Sequence, residues 1–88
     1  MIVRFWEARV EAGRLDDATV WARDTLLAAA SARAGFASGE LFGADELDGQ
    51  PARVVLLTRW SERPDELDES LAPDGSIARA HGWFFRDV

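Results

Sequence analysis

The amino-acid sequence predicts an α+β fold, in which a four-stranded antiparallel sheet carries two helices on one face. Three observations lead to this prediction: several strand-like segments with alternating apolar residues, a long helical segment after the first of them, and a short acidic segment before the last. The chain has 88 residues, of which 48% are hydrophobic. That length and composition fit one globular domain, over residues 1–88, and exclude a disordered chain.

The most informative segment is residues 53–62, which follows the turn-like residues 48–51. In it Val54, Leu56, Thr58 and Trp60 alternate with a second set of residues that is also partly apolar. Apolar groups on both sides indicate a strand that is covered on both faces, and therefore a central strand. Residues 2–10 have a similar pattern and form the predicted first strand.

The segment from Leu15 to about Ala34 predicts the first helix. Acidic residues at 16 and 17 favour the positive end of the helix dipole, and apolar residues recur at helical spacing after them. Gly35 then ends the helix as a C-terminal capping glycine would.

The remaining segments complete the order strand, helix, strand, strand, helix, strand. Residues 36–44 predict a second strand, which a polar loop over residues 45–51 joins to the third as a hairpin. Pro64 precedes a short acidic helix at Asp65 to Leu71. The end of the chain is ambiguous: residues 76–80 are compatible with a helical turn and residues 82–88 with a last strand.

This order, with right-handed crossovers, predicts a ferredoxin-like βαββαβ domain with strand order 4-1-3-2. If Trp6 and Trp60 face the helices, the opposite sheet face carries apolar residues at positions 3, 5, 55 and 57. A solvent-exposed apolar patch usually marks an interface. Two sheets packed face to face would cover it, so we expect a homodimer that forms a closed α/β barrel.

Charge and composition exclude several classes of function. The formal net charge is −6 and the acidic residues are spread along the chain, which argues against a nucleic-acid partner. The chain has no cysteine and no lysine, which rules out disulfides, thiolate metal sites and a Schiff-base lysine. The absence of cysteine suits a cytoplasmic protein. Charges at Arg4, Glu7 and Arg9 argue against a signal peptide or a membrane span in the first apolar stretch.

The chain resembles the antibiotic-biosynthesis-monooxygenase-like family of dimeric α/β barrels. The resemblance rests on residues 2–6, on residues 34–39 at the end of the helix, and above all on residues 54–62, which read Val-Val-Leu-Leu-Thr-Arg-Trp-Ser-Glu. It covers roughly residues 2–72. The sequence departs from the family in being somewhat short and in lacking any asparagine or tyrosine, so the polar catalytic set of the family is not intact.

The resemblance implies a cofactor-independent monooxygenase that acts on an aromatic, polyketide-like or quinol-like small molecule. Such a reaction needs aromatic walls, a proton acceptor and a cation that holds the phenolate. Arg4 is the candidate cation and His81 the candidate proton acceptor. The candidate walls of the substrate site are Trp6, Trp21, Trp60 and Trp83. No cofactor and no metal are implied.

Each of these assignments has an alternative. The tryptophans are common core residues of a small domain, and Arg4 is compatible with a surface ion pair. His81 is compatible with an axial haem ligand, because residues 76–81 loosely resemble the histidine-bearing helix of haem-degrading relatives. The acids at positions 65, 66, 68 and 69 favour a solvated helix face over a metal site. The whole protein is compatible with a small barrel that binds a ligand without catalysis.

Overall fold

The computed structural model describes residues 1–65, 67, 69 and 74–88 of the chain. Strand β1 spans Ile2–Val10 and is followed by three consecutive helical segments: α1 at Leu15–Trp21, a π-helical segment at Ala22–Leu27 and α2 at Ala28–Ser31. Strands β2, β3 and β4 then span Phe36–Ala44, Arg53–Trp60 and Ile77–Arg86. The predicted α+β class, with a four-stranded antiparallel sheet, is confirmed.

Two boundaries differ from the prediction at the ends of elements. The helix ends at Ser31, before the predicted Ala34, although Gly35 has the positive φ of 86° that the capping prediction required. Residues 77–80, which the sequence left open to a helical turn, form the first part of β4. Their backbone pairs with the end of β1, where Val10 lies opposite Ile77 across an irregularity in the register. The helix predicted at Asp65 to Leu71 lies mostly outside the described residues.

The four strands form one sheet in the order β2-β3-β1-β4, which reads 4-1-3-2 from the other edge. All three neighbouring pairs are antiparallel. Trp6 in β1 lies between Leu56 of β3 and Gly82 of β4, and Phe5 lies between Leu57 and Trp83. Because successive side chains point to opposite faces, this register assigns every strand residue to one of two faces.

The helix-side face of the sheet carries the core. The even-numbered residues of β3 are buried, whereas the odd-numbered ones are only partly buried in the single chain, so the second face is less covered than the sequence pattern predicted. Small alanines at positions 18 and 22, together with Leu26, bring the helix against this face. The buried residues of the cluster are Trp6, Ala8, Val10, Ala18, Ala22, Leu26, Ala52, Val54, Leu56 and Ile77.

The opposite face, here called the open face, presents a band of apolar side chains. The band consists of Val3, Phe5, Phe42, Val55, Leu57, Trp83 and Phe85. Ion pairs flank it: Arg53 Nη1 lies 2.7 Å from Glu7 Oε1, and Arg59 Nη1 lies 2.9 Å from Glu40 Oε1. The side chains of Phe42, Trp83 and Phe85 are solvent-exposed. Within the described ranges, no helix is long and apolar enough to cross a membrane.

Candidate functional site

A small cavity of about 110 Å³ lies between the helix and the buried face of the sheet. It is called the inner cavity below. The walls are mainly apolar, and the polar groups among them come from β1, β3, the end of the helical region and the segment after β3. The lining residues are Arg4, Trp6, Leu26, Ala29, Ala30, Arg33, Leu56, Thr58, Leu67 and Glu69.

The strand register brings the sheet residues of this cavity together. Arg4 and Trp6 lie two positions apart on β1 and therefore point to the same face. Their partners across the ladder are Thr58 for Arg4 and Leu56 for Trp6. Two adjacent pairs thus supply one cation, one hydroxyl and two apolar groups within a small area, and the helix closes the space from the other side.

Arg4 forms a half-buried ion pair with Glu69, in which the side chains are 14% and 20% exposed. Its Nη2 atom donates to Glu69 Oε1, and its Nε atom lies 3.4 Å from Oε2. The guanidinium lies across Gly82 of β4, where an added Cβ would come within 2.7 Å of Arg4 Cζ. Removing one partner of a partly buried pair leaves the other charge uncompensated, so each of the two groups needs an opposite charge at this position.

The predicted aromatic walls divide into three environments. Trp6 is buried and lines the inner cavity, and its ring centroid lies 6.2 Å from that of Trp21 on the helix. Trp60 is fully buried, packs edge-on against Phe36 with 5.5 Å between centroids, and does not line the cavity. Trp60 is therefore a core residue here, which is the alternative that the sequence left open.

His81 and Trp83 lie on the open face, away from Arg4. Their rings meet edge-on with 4.5 Å between centroids, and Trp83 also contacts Phe5 at 6.0 Å. His81 occupies the position opposite Glu7 in the ladder, whereas Arg4 points to the helix side. The fold therefore brings Arg4 and Trp6 together and places His81 and Trp83 across the sheet from them.

Sequence reasoning missed Glu69 as a contributor to the site. The acids at positions 65, 66, 68 and 69 were expected to form a solvated face, and for Glu69 this was wrong because its carboxylate compensates the charge of Arg4. Positions 66 and 68 lie outside the described residues. The position of Arg4 on β1 could have indicated this carboxylate, because a guanidinium on a sheet face covered by a helix requires an anion close by.

The size and composition of the inner cavity limit its chemistry. Pockets for drug-sized ligands measure roughly 300–1,000 Å³, and a cavity of about 150 Å³ holds a benzene molecule. The inner cavity, at about 110 Å³, is thus on the scale of one small ring and much too small for haem. In the part of the chain that the structure describes, no group of three or more His, Cys, Asp or Glu side chains could hold a metal ion.

No protein-family model, curated protein or solved structure matches this chain. The resemblance to the monooxygenase-like family therefore stays a prediction that rests on the quoted segments.

Proposed function

We propose that this protein is a small homodimeric α/β barrel whose inner cavity binds a compact planar molecule with an anionic group. The observation that carries the proposal is the position of Arg4, a half-buried cation at the wall of an otherwise largely apolar cavity. An anionic ligand would bind the Arg4 guanidinium alongside Glu69. The apolar ring would lie against Trp6, Leu26 and Leu56.

Binding of a ring is tested by titration with hydroquinone and with benzoate, followed through the indole N–H resonance of Trp6, assigned with Trp6→Phe. We expect a saturable shift for at least one probe and a weakened response in Arg4→Gln. Arg23→Gln serves as the matched control, because Arg23 is an exposed arginine of the helix that pairs with its neighbour Asp24. The absence of any shift in the unmodified protein with both probes would end the proposal.

The homodimer is the second part of the proposal, and the open face is its interface. Trp83 and Phe85 are 45% and 55% exposed on this face, next to Phe5 and Val3 in the ladder. A continuous apolar band on a sheet favours association, because its burial is worth about 25 cal/mol per Å². The flanking pairs Glu7–Arg53 and Glu40–Arg59 would lie at the rim of the interface.

Sedimentation velocity of Phe85→Glu tests the interface. The unmodified chain is expected to sediment as a dimer and the variant as a folded monomer, because a carboxylate in the apolar band would be desolvated on association. Val20→Glu is the control, since Val20 is also an exposed apolar residue but lies on the helix. A monomer for the unmodified chain, or a dimer in Phe85→Glu, would contradict the interface.

A cofactor-independent monooxygenase is the second candidate function, and the adjacency of Arg4 and Trp6 in one cavity favours it. In this reaction a phenol and dioxygen give a para-quinone and water: one oxygen atom enters the ring and the other leaves as water. Arg4 would hold the phenolate. Among the described residues of the cavity Glu69 is the carboxylate that could accept the phenol proton, which is the role predicted from the sequence for His81.

Oxygen uptake with two single-ring substrates, phenol and 2-methylphenol, tests the catalytic candidate. Activity that is lost in Arg4→Gln and in Glu69→Gln but kept in His81→Ala would support it. Ring binding without oxygen uptake would leave a binding barrel without catalysis, which the sequence analysis kept as the alternative.

A further inference from the structure

Arg63 lies next to the inner cavity in an open cleft of about 410 Å³. This outer cleft is lined by Arg4, Arg63, Pro64, Asp65, Leu67 and Phe84. It shares Arg4 and Leu67 with the inner cavity, so the two spaces adjoin at the Arg4 side chain. A molecule with its ring in the inner cavity would thus place a substituent near the outer cleft.

Both arginines lie over the ring of Phe84. The Cζ atom of Arg4 lies 4.6 Å from the centroid of the Phe84 ring, and the Cζ atom of Arg63 lies 4.3 Å from it. Phe84 is the partner of Arg4 in the ladder between β1 and β4, which fixes the ring beside the Arg4 side chain. The face of an aromatic ring attracts cations, and the two arginines line one cleft with the Phe84 ring.

The two guanidinium groups differ in their compensation by acids. Arg4 is paired with Glu69, whereas Arg63 has no carboxylate within ion-pair distance in the part of the chain that the structure describes. Asp65 lines the same cleft without reaching Arg63. A guanidinium presents a planar set of donors, and a carboxylate is the group that such a fork binds through two parallel hydrogen bonds.

We propose that Arg63 and Phe84 extend the ligand site, so that Arg63 together with Arg4 selects a planar aromatic monocarboxylate. This inference rests on the proposed function, in which the inner cavity receives the ring. The ligand carboxylate lies between the two guanidinium groups at the junction of cavity and cleft. Arg63 is the residue that distinguishes a carboxylate from a neutral amide of the same shape.

The local charge favours a monoanion over a dianion. Among the described residues, three arginines (Arg4, Arg33 and Arg63) and two acids (Glu69 and Asp65) line the two spaces, so their formal charges sum to +1. A phosphate ester in its dianionic form would add two further negative charges to this group, and a carboxylate only one. Phenyl phosphate is therefore expected to bind more weakly than benzoate, because the acids repel the second charge.

The test compares benzoate, benzamide and phenyl phosphate on the unmodified chain and its variants. Dissociation constants are measured from chemical shifts of the Trp6 indole N–H. Benzoate is expected to bind tighter than the other two, and Arg63→Gln is expected to weaken benzoate roughly tenfold or more while benzamide changes little. Arg63→Lys should recover part of the difference, because the charge returns without the planar fork.

The controls separate this inference from the proposed function. Arg23→Gln, on the exposed helix surface, should leave all three constants unchanged. Two outcomes would show that the cavity binds rings but that Arg63 does not select the carboxylate. One is equal binding of benzoate and benzamide, and the other is an unchanged dissociation constant of benzoate in Arg63→Gln. If none of the three probes binds the unmodified protein, the proposed function fails, and the inference fails with it.

Discussion

The indole Nε1 of Trp60 donates a hydrogen bond of 2.8 Å to the hydroxyl oxygen of Thr58, two residues earlier on the same face of β3. Both side chains are almost completely buried. An indole has one donor and no acceptor, so Thr58 satisfies the whole hydrogen-bonding capacity of Trp60. The alternation of β3 thus places a polar group in the core where a tryptophan needs it.

Replacing Thr58 by valine should therefore destabilise the protein although shape and volume are kept. The buried indole N–H would lose its acceptor, which costs about 1–3 kcal/mol. Urea unfolding followed by circular dichroism measures the change in the free energy of unfolding. Thr25→Val is the control, since Thr25 is an exposed threonine of the helix and its replacement should change stability by less than about 0.5 kcal/mol.

The double variant Thr58→Val, Trp60→Phe isolates the hydrogen bond. With both polar groups removed, the cost should be smaller than the sum of the two single changes, because no unsatisfied donor remains. Strict additivity would show that the two side chains do not depend on each other.

Much of the fold could be predicted from local pattern, as β3 illustrates. Alternation over residues 53–60 identified the buried set Val54, Leu56, Thr58 and Trp60, and the structure confirms it. The π-helical segment at Ala22–Leu27 could not be predicted, because it contains no glycine or proline and its apolar spacing also fits an α-helix. The sequence did not decide between a helical turn and a strand at Ile77–Ala80. These residues form a strand because they pair with β1, and such a long-range contact cannot be predicted from local pattern.

The candidate site was predictable only in part. Arg4 and Trp6 share a strand face by simple alternation, so their adjacency follows from the sequence. The other members, Glu69, Arg63 and Phe84, come from separate segments that meet through the tertiary fold. His81 was chosen for its chemistry, and the same alternation that joins Arg4 to Trp6 puts it on the opposite face.

A side chain at Gly39 of β2 is expected to fit only if Leu27 of the helix moves. A Cβ at this position would overlap Leu27 Cδ1 of the helix, so Gly39→Ala should cost about 1–3 kcal/mol through overpacking. Thermal unfolding measures the loss, and Leu27→Ala in the same chain should relieve part of it. At Gly43 of the same strand the nearest atom to an added Cβ is Leu15 Cδ1 at 3.8 Å, so Gly43→Ala should be well tolerated. Equal effects at the two glycines would contradict the close approach of the helix at Gly39.

Asp74 should contribute a pH-dependent stabilisation to the turn that leads into β4. The backbone N–H of Ser76 donates to Asp74 Oδ1 at 2.9 Å, and this hydrogen bond, with Arg14 at 3.1 Å from Oδ2, lowers the pKa of Asp74 below its ordinary value of 3.8. A lowered pKa means that the stabilisation is present above the pKa of the unfolded state and is lost as the pH falls through the pKa of the folded state.

The measurement compares urea unfolding of the unmodified chain and Asp74→Ala at about pH 6 and about pH 2, on either side of the aspartate range. The difference between the two proteins should be larger at the higher pH. NMR titration of the Asp74 carboxyl carbon should give a pKa below 3.8. A difference in the free energy of unfolding that does not change with pH would contradict the role of the ionised carboxylate. Asp24→Ala, on the exposed helix surface, is the control variant for the same measurement.

Leu26 sets the size of the inner cavity and should control both stability and ligand choice. It lies in the π-helical segment, is buried, and faces Trp6 and Leu56 across the cavity. Leu26→Ala should cost about 2–4 kcal/mol, because the helix cannot collapse fully into the vacated space against two strands. The same space should admit a second ring, so 2-naphthoate should gain affinity relative to benzoate in the variant.

Leu47→Ala is the control, since Leu47 is exposed in the loop before β3 and should alter neither property. A loss of stability without a change in the ratio of the two affinities would mean that Leu26 is a core residue and that the ring binds elsewhere.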